Sequence, residues 1–134
     1  MDRIALNSDD NLRQKIMGIN ANYRGGTAQY TKMTLSVLNE LIDNNFVNLD
    51  EKQNNAPTVG EFRDFLLKHK DKEIYLHGYM VSPNREDYRI SVEGLEAPLS
   101  RTGDDMDFTD EIYQAFCNAD VIDFRGCKFF CWYD

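Results

Sequence analysis

The densest group of side chains that could bind or catalyse is an acidic run late in the chain: Asp104, Asp105, Asp107, Asp110 and Glu111. Closely spaced carboxylates can hold a metal ion, or they can offer negative charge to a basic partner. A calcium loop of the helix-loop-helix type requires a glycine at its sixth position and a glutamate at its twelfth. Counted from Asp105, those positions hold Asp110 and Phe116, so the calcium pattern fails.

The same run also has an explanation that needs no ligand. Carboxylates before and within the first turn of a helix are stabilised by the helix dipole and by unpaired backbone N–H groups. Both readings of the run stay open at this point. We predict that these five carboxylates bind a partner and that they hold no metal.

Three cysteines and two histidines are the other side chains that could act as nucleophiles or ligands. Cys127 and Cys131 lie four residues apart, which on a strand places their sulfurs about 13 Å apart, too far for one zinc ion. Cys117 as a nucleophile would need a histidine beside it, and the spacing of His69 and His77 does not indicate one. We predict no cofactor. An enzyme or ligand-binding domain with a pocket near Cys117 or His77 is kept as the alternative function.

Aromatic residues concentrate in segments that alternate as strands do: Tyr75, Tyr79, Tyr88, Phe129, Phe130, Trp132 and Tyr133. With the neighbouring basic residues Arg85, Arg89 and Lys128 they could form a surface on which nucleic-acid bases stack. Acidic neighbours disfavour that role. Packing against helices, or contact with a protein partner, explains the aromatic residues at least as well.

The elements that must position these residues are helices first and strands later. Apolar spacings of three and four predict a helix that Ser8 caps and that ends at two glycines near residue 25. A second helix is predicted over about 28–44, and a capping box of Thr58 and Glu61 begins a third.

Period-two alternation then predicts strands over 73–82 and 87–96, joined by a turn, and Gly78 and Gly94 within them indicate a bulge or a close backbone approach. A helix over 109–119 and a second hairpin over 121–134 complete the chain. The predicted fold class is therefore α+β, with N-terminal helices packed on an antiparallel sheet built from two hairpins.

Length and composition predict one domain over residues 1–134, with no membrane span and a cytoplasmic location. The net charge of −8 disfavours direct binding of nucleic acid, because phosphate neutralisation supplies most of that affinity. Residues 1–45 contain five basic and five acidic side chains, whereas residues 46–134 contain ten and eighteen. The acidic excess therefore lies entirely in the later part of the chain.

Two stretches resemble a known group of proteins. The ending Asn118-Ala-Asp120 followed by Cys131-Trp-Tyr-Asp134, and the stretch from His77-Gly-Tyr79 to Gly94, resemble small uncharacterised acidic proteins of bacterial mobile elements and phages. The resemblance covers about a third of the chain. It implies a setting in which compact acidic proteins bind and block host machinery, as anti-CRISPR and anti-restriction proteins do.

From the residues and the resemblance together, we expect a non-enzymatic protein–protein interaction module. Its expected role is that of a stoichiometric inhibitor or accessory factor that presents an acidic surface to a basic nucleic-acid-handling protein. The sequence does not indicate an oligomeric state.

Overall fold

The computed structural model describes residues 6–53, 55–99, 106–125 and 127–133, and within them the chain forms helices on one five-stranded sheet. The helices are α1 (Asp10–Met17), α2 (Leu35–Asp43), α3 (Val59–Lys68) and α4 (Met106–Phe116). The strands are β1 (Thr27–Met33), β2 (Tyr75–Val81), β3 (Ile90–Pro98), β4 (Val121–Arg125) and β5 (Lys128–Trp132). The predicted α+β class is confirmed. Asp104 and Asp105 lie outside the described residues.

The sheet is antiparallel throughout, with the strand order β1-β2-β3-β5-β4. The prediction of a sheet made of two hairpins is not confirmed as stated, because a fifth strand, β1, pairs with β2 at one edge. Residues 28–33 were expected to be helical. Gly25 and Gly26 instead take positive φ angles of 68° and 88°, and this turn directs the chain into a strand in which Tyr30 and Met33 are buried.

The helix boundaries differ from the expected ones for local reasons. Asp9 caps α1 rather than Ser8, since its side chain accepts a hydrogen bond from the backbone N–H of Leu12. The helix ends at Gly18, which has a φ of 69° and takes the left-handed conformation. The capping box at the start of α3 is confirmed, with both of its reciprocal hydrogen bonds formed. Helix α4 begins three residues before the predicted start.

The core lies between the helices and one face of the sheet. Alternate residues of β2, β3 and β5 join the buried side chains of α2, α3 and α4 in one cluster, which includes Leu38, Phe62, Leu76, Leu95, Ile112 and Phe129. Because strand residues alternate between faces, the residues between these point to the opposite side of the sheet. That second face, and the two edges of the sheet, carry the side chains considered next.

Candidate interaction surface

The sheet face opposite the core carries a row of aromatic rings centred on His77. The His77 ring stacks on Phe130 at a centroid distance of 4.7 Å and on Trp132 at 4.8 Å, and Tyr79 meets Trp132 edge-on at 5.6 Å. Nε2 of His77 lies 2.8 Å from the backbone carbonyl oxygen of Cys131, and because a carbonyl only accepts, Nε2 carries the proton. His77 therefore lies flat across β3 and bonds to β5.

Glycine at position 94 makes this arrangement of His77 possible. A Cβ atom at Gly94 would lie 2.7 Å from Nε2 of His77 and 2.0 Å from the carbonyl oxygen of Cys131. Burial lowers the pKa of His77, which is only 2% exposed. The imidazole is consequently a neutral packed ring. The predicted close backbone approach at Gly94 is confirmed, as is the irregularity at Gly78, where the register between β2 and β3 shifts.

Basic residues on and beside this face are paired with carboxylates. Lys32 and Lys128 each place Nζ 3.3 Å from the carboxylate of Glu96. Partial burial alone would raise the pKa of Glu96, but the hydrogen bonds from the two lysines outweigh it and lower the pKa. Arg85 and Arg89 both contact the carboxylate of Asp87. These pairs reduce the positive charge that a base-stacking surface would direct at phosphates.

The described carboxylates of the predicted acidic site have different surroundings. Asp107 and Asp110 are exposed on α4. Glu111 is half-buried and pairs with Lys68, and its second oxygen lies 3.1 Å from Nε2 of His69. The hydrogen bond from Lys68 is the main cause of a lowered pKa at Glu111. Glu111 thus connects α4 to α3, while Asp107 and Asp110 face solvent.

Exposed apolar side chains also occur on α4 and on β4, the strand that follows it. Among the described residues, five large apolar side chains are prominently exposed, and three of them come from α4 and β4: Tyr113 at 44%, Val121 at 42% and Phe124 at 50%. The rings of Tyr113 and Phe124 lie 6.4 Å apart, and Phe124 meets the buried ring of Phe129 edge-on at 5.5 Å. The Phe124 ring is therefore half exposed and packs on its other side against the buried ring of Phe129.

The stretch of sequence that contains these three side chains is acidic, and Arg125 follows it at the end of β4. Between residues 106 and 124 the chain contains five acidic residues and no basic one: Asp107, Asp110, Glu111, Asp120 and Asp123. Asp110 precedes Tyr113 by three residues, which places both on one face of the helix. We use the name α4–β4 surface for Asp107, Asp110, Tyr113, Asp120, Val121, Asp123 and Phe124. It combines exposed apolar side chains with acidic neighbours, and because strand residues alternate between faces, Val121 and Asp123 lie on the sheet face opposite Phe124.

The residues of the alternative function are not brought together. Cys117 is exposed after α4, where Sγ donates to the backbone oxygen of Gln114, whereas His77 is buried on the other face of the sheet. Burial raises the pKa of the Cys131 thiol to about 12. Clefts of about 390 and 310 Å³ lie beside α1 and beside the start of α2, and neither is lined by Cys117 or His77. In the described part of the chain, no group of three or more potential ligands is arranged for a metal ion.

Sequence reasoning missed two parts of this picture. Phe124 and Val121 were expected within a hairpin, but nothing in the alternation showed that β4 would be an edge strand. Arg13 was not singled out, yet it is 1% exposed and hydrogen-bonds to Asp10, Tyr23 and two backbone carbonyls. The one sequence signal for its burial is that Arg13, a charged residue, occupies an inward-facing position of α1.

Comparison with known proteins identifies no relative of this chain. No protein-family model, curated protein or solved structure matches the chain. Of the helices within the described ranges, none combines the length and the apolar character that a membrane crossing requires.

Proposed function

We propose that this chain is a protein-interaction module that binds a basic partner through the α4–β4 surface. The observation that carries the proposal is the exposure of Tyr113, Val121 and Phe124 within residues 106–124, a stretch with five acidic residues and no basic one. We further propose, as the resemblance implies, that the partner handles nucleic acid and that the module acts on it as a stoichiometric inhibitor or accessory factor.

The exposed apolar side chains support binding because their area remains to be buried. Interfaces place aromatic anchors at their centre and polar groups at the rim, and a few such anchors supply most of the affinity. Phe124 is already held by Tyr113 and Phe129, so little side-chain freedom is lost when a partner covers it. This is the property expected of an anchor residue.

The acidic neighbours support a basic partner rather than a neutral one. Among the described residues, no cation pairs with Asp107 or Asp110, so their charge is available to steer an approaching protein. Glu111 contributes less, because Lys68 already neutralises it. The proposed binding residues are accordingly Asp107 and Asp110 on α4, with Asp104 and Asp105 as further candidates from the sequence.

The experiment is affinity capture of the tagged chain from a bacterial lysate, followed by titration of the purified partner. We expect the double variant Asp107→Lys, Asp110→Lys to bind about tenfold more weakly, mainly through slower association. The matched control is Asp43→Lys with Asp50→Lys, which makes the same change in net charge at exposed positions in and after α2. Equal affinity of the wild type and the α4 variant would remove this surface from the function.

A further inference from the structure

The two edges of the sheet differ in how they are protected against pairing with another strand. Strand β1 has a register irregularity between Tyr30 and Met33, and Lys32 within it has a φ of 57°. Its outward residues Gln29, Thr31 and Lys32 are polar and exposed. Bulges and lysines of this kind are the usual devices that keep an edge from recruiting a strand.

Strand β4 has no bulge over its described residues, although it is only five residues long and contains Asp123 and Arg125. It pairs with β5 through five consecutive residues with no shift in register. Its side chains Val121 and Phe124 are 42% and 50% exposed, and alternation places them on opposite faces of the sheet. An edge that is regular and exposes one apolar side chain on each face can receive a further strand.

The backbone of β4 provides the bonds that such a strand requires. β4 is the outermost strand of the sheet, so alternate N–H and C=O groups point away from β5. An added strand would continue the ladder through these groups. Its side chains would contact Phe124 on one face and Val121 on the other.

We propose that the partner binds by inserting an extended basic segment as a sixth strand along β4. The inference rests on the proposed function and specifies how the same surface is used. Each copy of this chain has a net charge of −8, so two copies repel one another as they approach. The net charge therefore favours a basic segment over a second copy.

The test uses a defined probe, a peptide of alternating valine and lysine joined by a flexible linker to Cys117 of a Cys127→Ser variant. Cys117 is exposed and precedes β4 by four residues, so the linker holds the peptide near the edge at roughly millimolar effective concentration. Hydrogen exchange is measured along the whole chain. We expect the exchange of 121–125 to slow at least tenfold, with no change at 27–33.

Two further peptides identify the cause of any protection. A peptide methylated on alternate backbone nitrogens keeps the lysines but cannot complete a ladder, so it should protect 121–125 far less. A valine–glutamate peptide should not protect it. The variant Val121→Lys, Phe124→Lys should abolish protection, whereas the matched β1 variant Gln29→Lys, Thr31→Lys should leave it unchanged.

The outcomes separate this inference from the proposed function. Equal protection by the methylated and unmethylated basic peptides would show that the surface binds basic chains but not as a strand, which overturns the inference and leaves the function intact. Absence of protection by any peptide overturns strand addition, and the capture experiment then decides the function alone. A dimer of the unlinked wild type that Phe124→Lys dissociates would make the second copy the occupant and overturn the proposal.

Discussion

Replacing Arg13 with methionine should destabilise the fold far more than replacing the exposed Lys15 of the same helix. The guanidinium of Arg13 donates to Asp10 at 3.0 Å and to the Tyr23 hydroxyl at 2.6 Å. It also donates to the carbonyl oxygens of Val81 and Arg89 at 2.8 and 3.2 Å. These bonds attach α1 to the ends of β2 and β3.

The expected loss of stability follows from the partners of Arg13 that methionine would leave without a hydrogen bond. Removing one partner of a buried charge pair costs about 3–5 kcal/mol, because the other charge and its acceptors lose their compensation. The Asp10 side chain is 18% exposed, so water can solvate it in part, and we expect about 3 kcal/mol. Against a typical domain stability of about 5–15 kcal/mol, this is a large fraction.

The assay is urea unfolding followed by the fluorescence of Trp132, the single tryptophan of the chain. Lys15→Met is the matched control, since Lys15 is exposed on the same helix and should change stability by less than about 0.5 kcal/mol. A double-mutant cycle with Asp10→Asn measures the coupling between Arg13 and Asp10 directly. If Arg13→Met costs no more than Lys15→Met, the attachment of α1 through Arg13 is refuted.

Two further predictions concern the packing around the His77 ring. Gly94→Ala should lower the free energy of unfolding in urea by about 3 kcal/mol or more, because its Cβ would lie 2.0 Å from the Cys131 carbonyl oxygen in a central strand. Gly18→Ala, whose Cβ has open space but whose φ is positive, should lower it by about 1 kcal/mol. Similar losses for the two variants would contradict the close approach at Gly94. The pKa of His77 in the folded protein lies below its ordinary value of 6.5, so as the pH falls the unfolded chain binds the proton first. The free energy of unfolding should therefore decrease as the pH drops from 6.5 toward the folded pKa, by at most about 1.4 kcal/mol per pH unit. His77→Gln should flatten this part of the curve, and an unchanged slope between pH 6.5 and 5 would assign it to other groups.

The parts of the fold that sequence reasoning predicted correctly depend on local chemistry. The capping box of Thr58 and Glu61 needs only four residues, and both of its bonds are present. The irregularities at Gly78 and Gly94 follow from the lack of a Cβ in a strand pattern. In each case the residues that determine the feature are neighbours in the sequence.

The parts that it predicted wrongly depend on contacts between distant segments. Tyr30 was assigned to a helix because its spacing to Leu38 fits helical periodicity, yet Tyr30 lies on β1 and its hydroxyl donates to the backbone oxygen of Ser91. When a strand and the helix after it bury one face against the same core, their apolar residues together can show the spacing of one longer helix. Only pairing with β2, about 50 residues later in the chain, distinguishes the two, and no local pattern reports it.

The candidate surface was predictable in its charge but not in its exposed apolar side chains. The acidic run is visible in the sequence, whereas the exposure of Phe124 depends on β4 being outermost. The sequence predicted Val121 and Phe124 only as part of a hairpin and did not indicate that either would be exposed. The strand order, which places β5 between β3 and β4, is what leaves them at the surface.

The folding of this chain does not require those side chains to be apolar. Ile122 supplies the contact of β4 with the core, and the ladder to β5 is made by backbone groups that any side chain leaves intact. Polar residues in place of Val121 and Phe124 would sacrifice part of the contact of Phe124 with Phe129 and otherwise protect the edge, as the polar residues of β1 do. Since β1 shows that polar side chains are compatible with an edge of this sheet, the exposed Val121 and Phe124 of β4 call for an explanation outside folding, and a basic strand of a partner supplies one.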